Sequence, residues 1–278
     1  MGPQRRLPAR KALLGVAVLA LLAGACSSGS APSKVVAAPS TTRAPECSSS
    51  VAPGEARVDL GDRWYQRHVP PMHGEKPVPL LIDLHGYSSD AIFHAAVTRL
   101  GAYGDERGFV TVTPHGAGDP PQWDLAVDGD DVTFVDAIIT DAEDTLCIDP
   151  DRIFVTGFSM GGFLISTLAC SRVAGRVAAF APVGGVRDVP DCDPPRPVPA
   201  LVIHGSADEI VFFDGGLSDL TAHALMLPAD GPSIEAIVDE WDARDPDADV
   251  TLRVVEGGSH AWPRSANDWI WEFFESVG

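Results

Sequence analysis

The sequence predicts an α/β fold: a mostly parallel central sheet with helices on both faces and no large lid. Two observations carry that prediction. Strand-length apolar runs alternate with helical patterns, as they do when a parallel sheet is wound. The residues suited to chemistry also fall just past the C-terminal ends of those runs, where open α/β sheets bind ligands. The runs are Val58–Val69 (long enough for a hairpin), Val78–Leu84, Phe109–Thr113, Ile153–Thr156, Val177–Pro182, Val198–Ile203 and Val250–Val255. Between them, Asp130–Cys147 places Val135, Ile138, Ile139, Ala142 and Leu146 at helical spacing. Such a stripe packs on a sheet. Gly162–Ala169 reads as a second helix, starting directly after a glycine turn.

That turn is Gly157-Phe158-Ser159-Met160-Gly161, between the apolar run ending at Thr156 and the helix. Strand, sharp turn and helix are the setting of a nucleophile elbow, which lifts a serine above the sheet edge. Val198–Ile203 leads into His204-Gly205-Ser206-Ala207-Asp208, and Val250–Val255 leads into Gly257-Gly258-Ser259-His260-Ala261-Trp262-Pro263. A serine hydroxyl needs an imidazole to take its proton, and a carboxylate to fix that imidazole's tautomer and offset its positive charge. Ser159, Asp208 and His260 are the expected nucleophile, acid and base. Their chain order is that of the α/β-hydrolase fold. Val78–Leu84 ends in His85-Gly86-Tyr87, from which this fold supplies one oxyanion donor; the residue after the nucleophile supplies the other. The expected donors are the N–H groups of Tyr87 and Met160, with Gly86 allowing close approach and His85 propping the loop. Trp123 and Trp262 are candidate substrate contacts, able to stack on a sugar ring or an aromatic acyl group.

Taken together, the segments Leu81–Tyr87, Asp151–Gly162, His204–Asp208 and Gly258–Pro263 resemble one family. It is the group of secreted polyhydroxybutyrate depolymerase-like esterases, including feruloyl and acetylxylan esterases and actinobacterial esterase lipoproteins. The resemblance runs from about Arg57 to the C-terminus and implies a serine esterase acting through an acyl-enzyme. One departure lies in the histidine loop, where Ala261 and Arg264 stand in place of the family's threonine and final glycine. The expected substrates are acetyl or hydroxycinnamoyl esters of carbohydrates, or short hydroxyalkanoate esters, as small molecules or as polysaccharide or polyester chains. Two other readings stay open: a non-catalytic exported binding protein on the same fold, or a peptidase of that fold.

The front of the chain reads differently. Arg5, Arg6, Arg10 and Lys11 precede an apolar stretch from Ala12 to Ala25, which ends at Cys26. A basic segment followed by a short apolar one is an export signal, so residues 1–25 are expected to be a lipoprotein-like leader. Cys26 is the candidate lipidation site, with ordinary secretion as the alternative. Residues 26–54 are rich in Ser, Ala, Pro and Thr and read as a disordered tether; residues 55–278 are then the catalytic domain. The protein is expected outside the cytoplasm, touching membrane only through a lipid anchor. Cys47, Cys147, Cys170 and Cys192 are disulfide candidates in such a compartment. Two expected helix ends favour Cys147–Cys170.

Composition narrows the partners. The formal net charge is −19, and removal of the leader's four basic residues takes it to about −23. Such acidity argues against nucleic acid and anionic lipid as partners. The cluster Asp128, Asp130 and Asp131 is expected to cap and charge the N-terminus of the next helix. No Gly-rich phosphate loop or metal-ligand spacing is present in the sequence, so neither cofactor nor metal is expected, and the enzyme is expected to act as a monomer.

Overall fold

The computed structural model describes residues 49–74, 76–244 and 247–277, all within one compact unit. The expected leader, most of the tether, Cys26 and Cys47 lie outside the described residues.

Among the described residues, eight strands form one sheet. In chain order they are β1 (Gly54–Leu60), β2 (Arg63–Val69), β3 (Val78–Leu84), β4 (Val110–Pro114), β5 (Ile148–Phe158), β6 (Ala179–Val183), β7 (Ala200–Gly205) and β8 (Val250–Val255). Their order across the sheet is β1-β2-β4-β3-β5-β6-β7-β8. The expected hairpin is β1–β2, antiparallel along its length, and β2 joins β4 antiparallel. The remaining neighbours are parallel. The strand order reverses at β3, which lies between β4 and β5, and at such a switch point the loops leaving adjacent strands diverge and open a crevice.

Alternation along the strands builds two cores. Leu80, Ile82, Leu84, Ile153 and Val155 face one side, where they meet α3 (Asp130–Thr145), α4 (Met160–Ala169) and α6 (Ile234–Arg244). Leu81, Phe154, Ala179 and Leu201 face the other, against Leu100 of α2 (Leu100–Arg107) and Ile270, Trp271 and Phe274 of α7 (Ala266–Val277). There Trp271 stacks on Phe109 and Phe274 on Phe154, both at 4.4 Å between centroids. Two shorter helices complete the set: α1 (Ala91–Thr98), capped by Asp90 accepting from the Ile92 and Phe93 N–H groups, and α5 (Asp219–Leu225). The fold is the expected one, helices covering both faces of a mostly parallel sheet.

The favoured disulfide is not the one formed. Cys170 is bonded to Cys192, with Cα atoms 5.0 Å apart, and Cys147 is disulfide-bonded elsewhere. The cause is the return path from β6 to β7. From the top of β6 the chain runs back along α4, where the Arg187 N–H donates to Ser166 Oγ at 3.1 Å. Continuing in that direction carries Cys192 to the helix's C-cap, Cys170.

Candidate active site

Ser159 occupies the turn between β5 and α4 with φ +55° and ψ −117°. A non-glycine residue at positive φ costs roughly 1–3 kcal/mol and persists only when its surroundings enforce it. Here they do. Ser159 N–H donates to Val183 O on β6 at 2.9 Å. A Cβ on Gly161 would lie 2.2 Å from Leu84 O, and one on Gly157 would lie 2.8 Å from Leu84 Cβ. Serine at a helix N-cap normally turns its hydroxyl to the helix N–H groups. Ser159 makes no such bond. Its Oγ lies 2.9 Å from His260 Nε2 instead.

The other two members arrive from neighbouring strands. Asp208 follows β7 and its side chain is buried; Oδ2 accepts from His260 Nδ1 at 2.7 Å. Its Oδ1 accepts from the Ile210 and Val211 N–H groups, each at 2.9 Å. Burial opposes ionisation of this carboxyl, but the bonds from His260 and the two N–H groups outweigh it and hold the pKa below the usual value. With Nδ1 donating to Asp208, His260 Nε2 is left to accept the Ser159 proton. The loops carrying Asp208 and His260 are pressed together: Ala207 N–H donates to Gly258 O at 3.0 Å, and a Cβ on Gly205 would lie 2.2 Å from Gly258 O. His260 also packs on the Phe158 ring at 4.8 Å.

Among the described residues, no hydrogen bond occupies the N–H of Tyr87 or Met160. Met160 opens α4, so its N–H has no acceptor within the helix and adds to the positive end of the helix dipole. A Cβ on Gly86 would lie 3.3 Å from Ser159 Cβ, so glycine keeps this approach open. His85 is fully buried; its Nε2 accepts from Gly116 N–H and its Nδ1 donates to Gly86 O, each at 2.8 Å. Burial drives its pKa down to about 4, only partly opposed by the bond to Gly86. A neutral imidazole bonded at both nitrogens is a prop for the loop.

Each of the two tryptophans uses its indole N–H in a hydrogen bond. Trp123 is 3 % exposed, and its Nε1–H donates to His85 O at 2.7 Å, so it braces the Gly86-Tyr87 loop from behind. A ring so covered has little face left for stacking, although its edge borders a cavity of about 760 Å³ shared with Met160, Leu125, Phe134 and Leu227. Trp262 is half-buried, does not line that cavity, and donates to Asn267 Oδ1 at 3.0 Å. At the start of α3 the expected side-chain cap does not form: the N-cap is Gly129, with no side-chain cap bond, while Asp130 and Asp131 supply the expected charge in the first turn. Buried Asp131 accepts from Arg63 Nη2 at 2.8 Å and from Asp124 N–H at 2.6 Å. Among the described residues no group of His, Cys, Asp or Glu is placed to hold a metal ion.

Sequence reasoning missed two supports. A Cβ on Gly185 would lie 2.3 Å from Ser159 O, so Gly185 backs the elbow from β6; the Gly184-Gly185 pair after an apolar strand was its signal. His204 Nε2 donates to Val211 O at 2.9 Å and lies 3.4 Å from Asp208 Oδ2, steadying the acid turn.

Comparison with known proteins adds to this geometry. No family model matches the chain. It is 30% identical over 244 residues to the "Putative esterase NocK" of Nocardia uniformis subsp. tsuyamanensis, covering 79% of this chain and 68% of that protein. It is also 35% identical over 133 residues to the bifunctional acetylxylan esterase/xylanase XynS20E of Neocallimastix patriciarum, and 32% identical over 157 residues to feruloyl esterase B of Piromyces equi. The extent of the Nocardia match places the chain in the same esterase family as that protein. These last two matches take in 48% and 53% of this chain but only 20% and 29% of those longer proteins. Among solved structures, the acetyl xylan esterase from Aspergillus awamori superposes with a TM-score of 0.61 at 14% identity, covering 80% of this chain and 99% of that one. At that identity the likeness speaks for the α/β-hydrolase fold of this family member and nothing finer.

Proposed function

We propose that this family member is a serine carboxylic-ester hydrolase, exported and either secreted or held by a lipid on Cys26, acting on acetyl or hydroxycinnamoyl esters of carbohydrates or on short hydroxyalkanoate esters. The observation that carries the reading is the unbroken line Ser159 Oγ, His260 Nε2, His260 Nδ1, Asp208 Oδ2, with contacts of 2.9 and 2.7 Å, at the start of the helix that Met160 opens.

In the proposed reaction, His260 Nε2 takes the Ser159 proton as Oγ attacks the ester carbonyl carbon. The carbonyl π electrons move onto oxygen, and the oxyanion is held by the N–H groups of Tyr87 and Met160. Such donors are worth about 10²–10³ in kcat each when removed in comparable sites. Collapse expels the alcohol, which takes the proton from His260, and leaves an acyl group on Ser159. Water, deprotonated by His260, then attacks the acyl carbon; Ser159 leaves with the proton and the free acid is released. Asp208 stays ionised throughout and holds the imidazole in the required tautomer.

The reading is tested by kcat/KM for p-nitrophenyl acetate, methyl ferulate and a hydroxybutyrate oligomer, for the parent and for Ser159→Ala. Turnover of at least one ester, abolished by the substitution, is expected. Hydrolysis that survives Ser159→Ala would contradict Ser159 as the nucleophile, and a parent inert towards all three with no fluorophosphonate adduct would favour a binding protein.

A further inference from the structure

Two loops must keep register for the proposed chemistry, the oxyanion loop after β3 and the base loop after β8. They are far apart in the chain, and a polar relay outside the Ser159–His260–Asp208 line connects them. It starts at Asp83, fully buried two residues before His85, which accepts from His94 Nε2 at 2.8 Å and from Thr98 Oγ1 at 2.7 Å. Both donors belong to α1, which directly follows the oxyanion loop. At the end of α1, Thr98 O accepts from Asn267 Nδ2 at 2.8 Å. Asn267 Oδ1 in turn accepts from Trp262 Nε1–H at 3.0 Å, and the Trp262 ring meets His94 edge-on at 6.1 Å. Trp262 lies two residues beyond His260.

We propose that Asn267 is a positioning residue, which locks the His260 loop to the oxyanion side of the site by using both ends of its amide. This rests on reading Ser159, His260 and Asp208 as the reacting set. The base loop is otherwise anchored on its upstream side, where Gly258 O accepts from Ala207 N–H and Gly257 N–H donates to Ser206 Oγ. Downstream, the indole–amide bond is the side-chain tie that reaches a different element. The chemistry of residue 267 is specific: it must give one hydrogen to a carbonyl and accept one from an indole, which an amide does and a carboxylate does not. Asn267→Asp keeps the shape, keeps the acceptor for Trp262 and sets negative charge against Thr98 O.

A misplacement on the order of 1 Å at a reacting group can cost about 10²-fold in rate. Asn267→Asp, Asn267→Ala and Trp262→Phe are therefore each expected to lower kcat by roughly 10-fold or more while KM stays within about twofold, the pattern of a defect confined to the transition state. Because the two side chains act as one tie, the double variant Asn267→Ala/Trp262→Phe should be no slower than the worse single variant. A readout independent of turnover is the downfield proton NMR signal of the hydrogen held between His260 Nδ1 and Asp208, expected to broaden or vanish in Asn267→Asp. The proposal is overturned if these variants lose thermal stability but keep the parent's kcat and the parent's imidazole signal, since Asn267 would then merely cap α1. Multiplying effects in the double variant would overturn it too. A parent with no esterase activity would sink the functional reading instead, leaving the NMR comparison to decide whether the relay orders His260.

Discussion

Replacing Gly161 with alanine adds one methyl group where the elbow crosses the end of β3. The new Cβ would lie 2.2 Å from Leu84 O, 2.7 Å from Leu84 C and 2.9 Å from His85 O. All three are backbone atoms, so no side chain can swing aside. To bring the first contact even to 3.0 Å, elbow and strand end must part by about 0.8 Å, and both flank the proposed oxyanion site. Overpacking of a well-filled interior costs roughly 1–3 kcal/mol. The displacement acts on Met160 N–H and on the segment bearing Tyr87, so donors and nucleophile lose register together. A shift near 1 Å suggests a fall in kcat of about 10²-fold. Urea unfolding and steady-state hydrolysis of p-nitrophenyl acetate, on the same preparation, separate the two effects. A folded Gly161→Ala protein with the parent's kcat would refute the claim that this contact sets the oxyanion geometry.

Other consequences are as direct. Asp208→Asn should keep the fold yet lower kcat by about 10⁴-fold, because an amide no longer holds the imidazole in the proton-accepting tautomer; a loss under tenfold in steady-state hydrolysis would contradict that role. His85 should stay neutral down to about pH 4 in an NMR titration of the imidazoles, and a midpoint near the ordinary histidine value would contradict the account of the loop. The sign for stability follows. An imidazole whose folded pKa lies below its unfolded value favours the fold fully above about pH 6.5 and loses that contribution as pH falls towards 4. The Asp208 carboxyl, also lowered in the fold, adds a loss at still lower pH, so urea midpoints should fall steadily on acidification. Trp123→Phe keeps an aromatic side chain, though a smaller one, and frees His85 O; it should cost about 1–3 kcal/mol by urea unfolding, with kcat/KM reduced several-fold; unchanged values for both would show that the brace is idle.

Local pattern made much of this fold readable, and long-range packing accounts for what was not. Strands such as Val78–Leu84 announce themselves by continuous apolar character, because a parallel strand is buried on both faces. The convergence of Ser159, Asp208 and His260 could be anticipated because each follows a strand, and parallel strands deliver their loops to one edge. Other features depend on which distant segments touch. Cys192 meets Cys170 only through the path of the β6–β7 connection, which carries no periodic signal. Gly185 and Gly205 matter through contacts across neighbouring loops, and beyond the Gly184-Gly185 pairing little beside them in the chain reveals their use. Trp123 and Trp262 looked available for substrate because aromatic residues in loops so often are; the structure turns one indole N–H to His85 O and the other to Asn267. The tie from Asp83 through Thr98 and Asn267 to Trp262 joins positions at opposite ends of the domain, invisible until the sheet brings α1 and α7 together.

The most direct test is covalent. The native protein is treated with a small fluorophosphonate, and intact-mass analysis with peptide mapping locates any adduct. A single adduct on Ser159, lost in heat-unfolded protein and in His260→Ala, is the predicted outcome. A folded parent that stays unmodified, or one modified at another residue, would contradict the claim that residues 159, 208 and 260 form a working nucleophile.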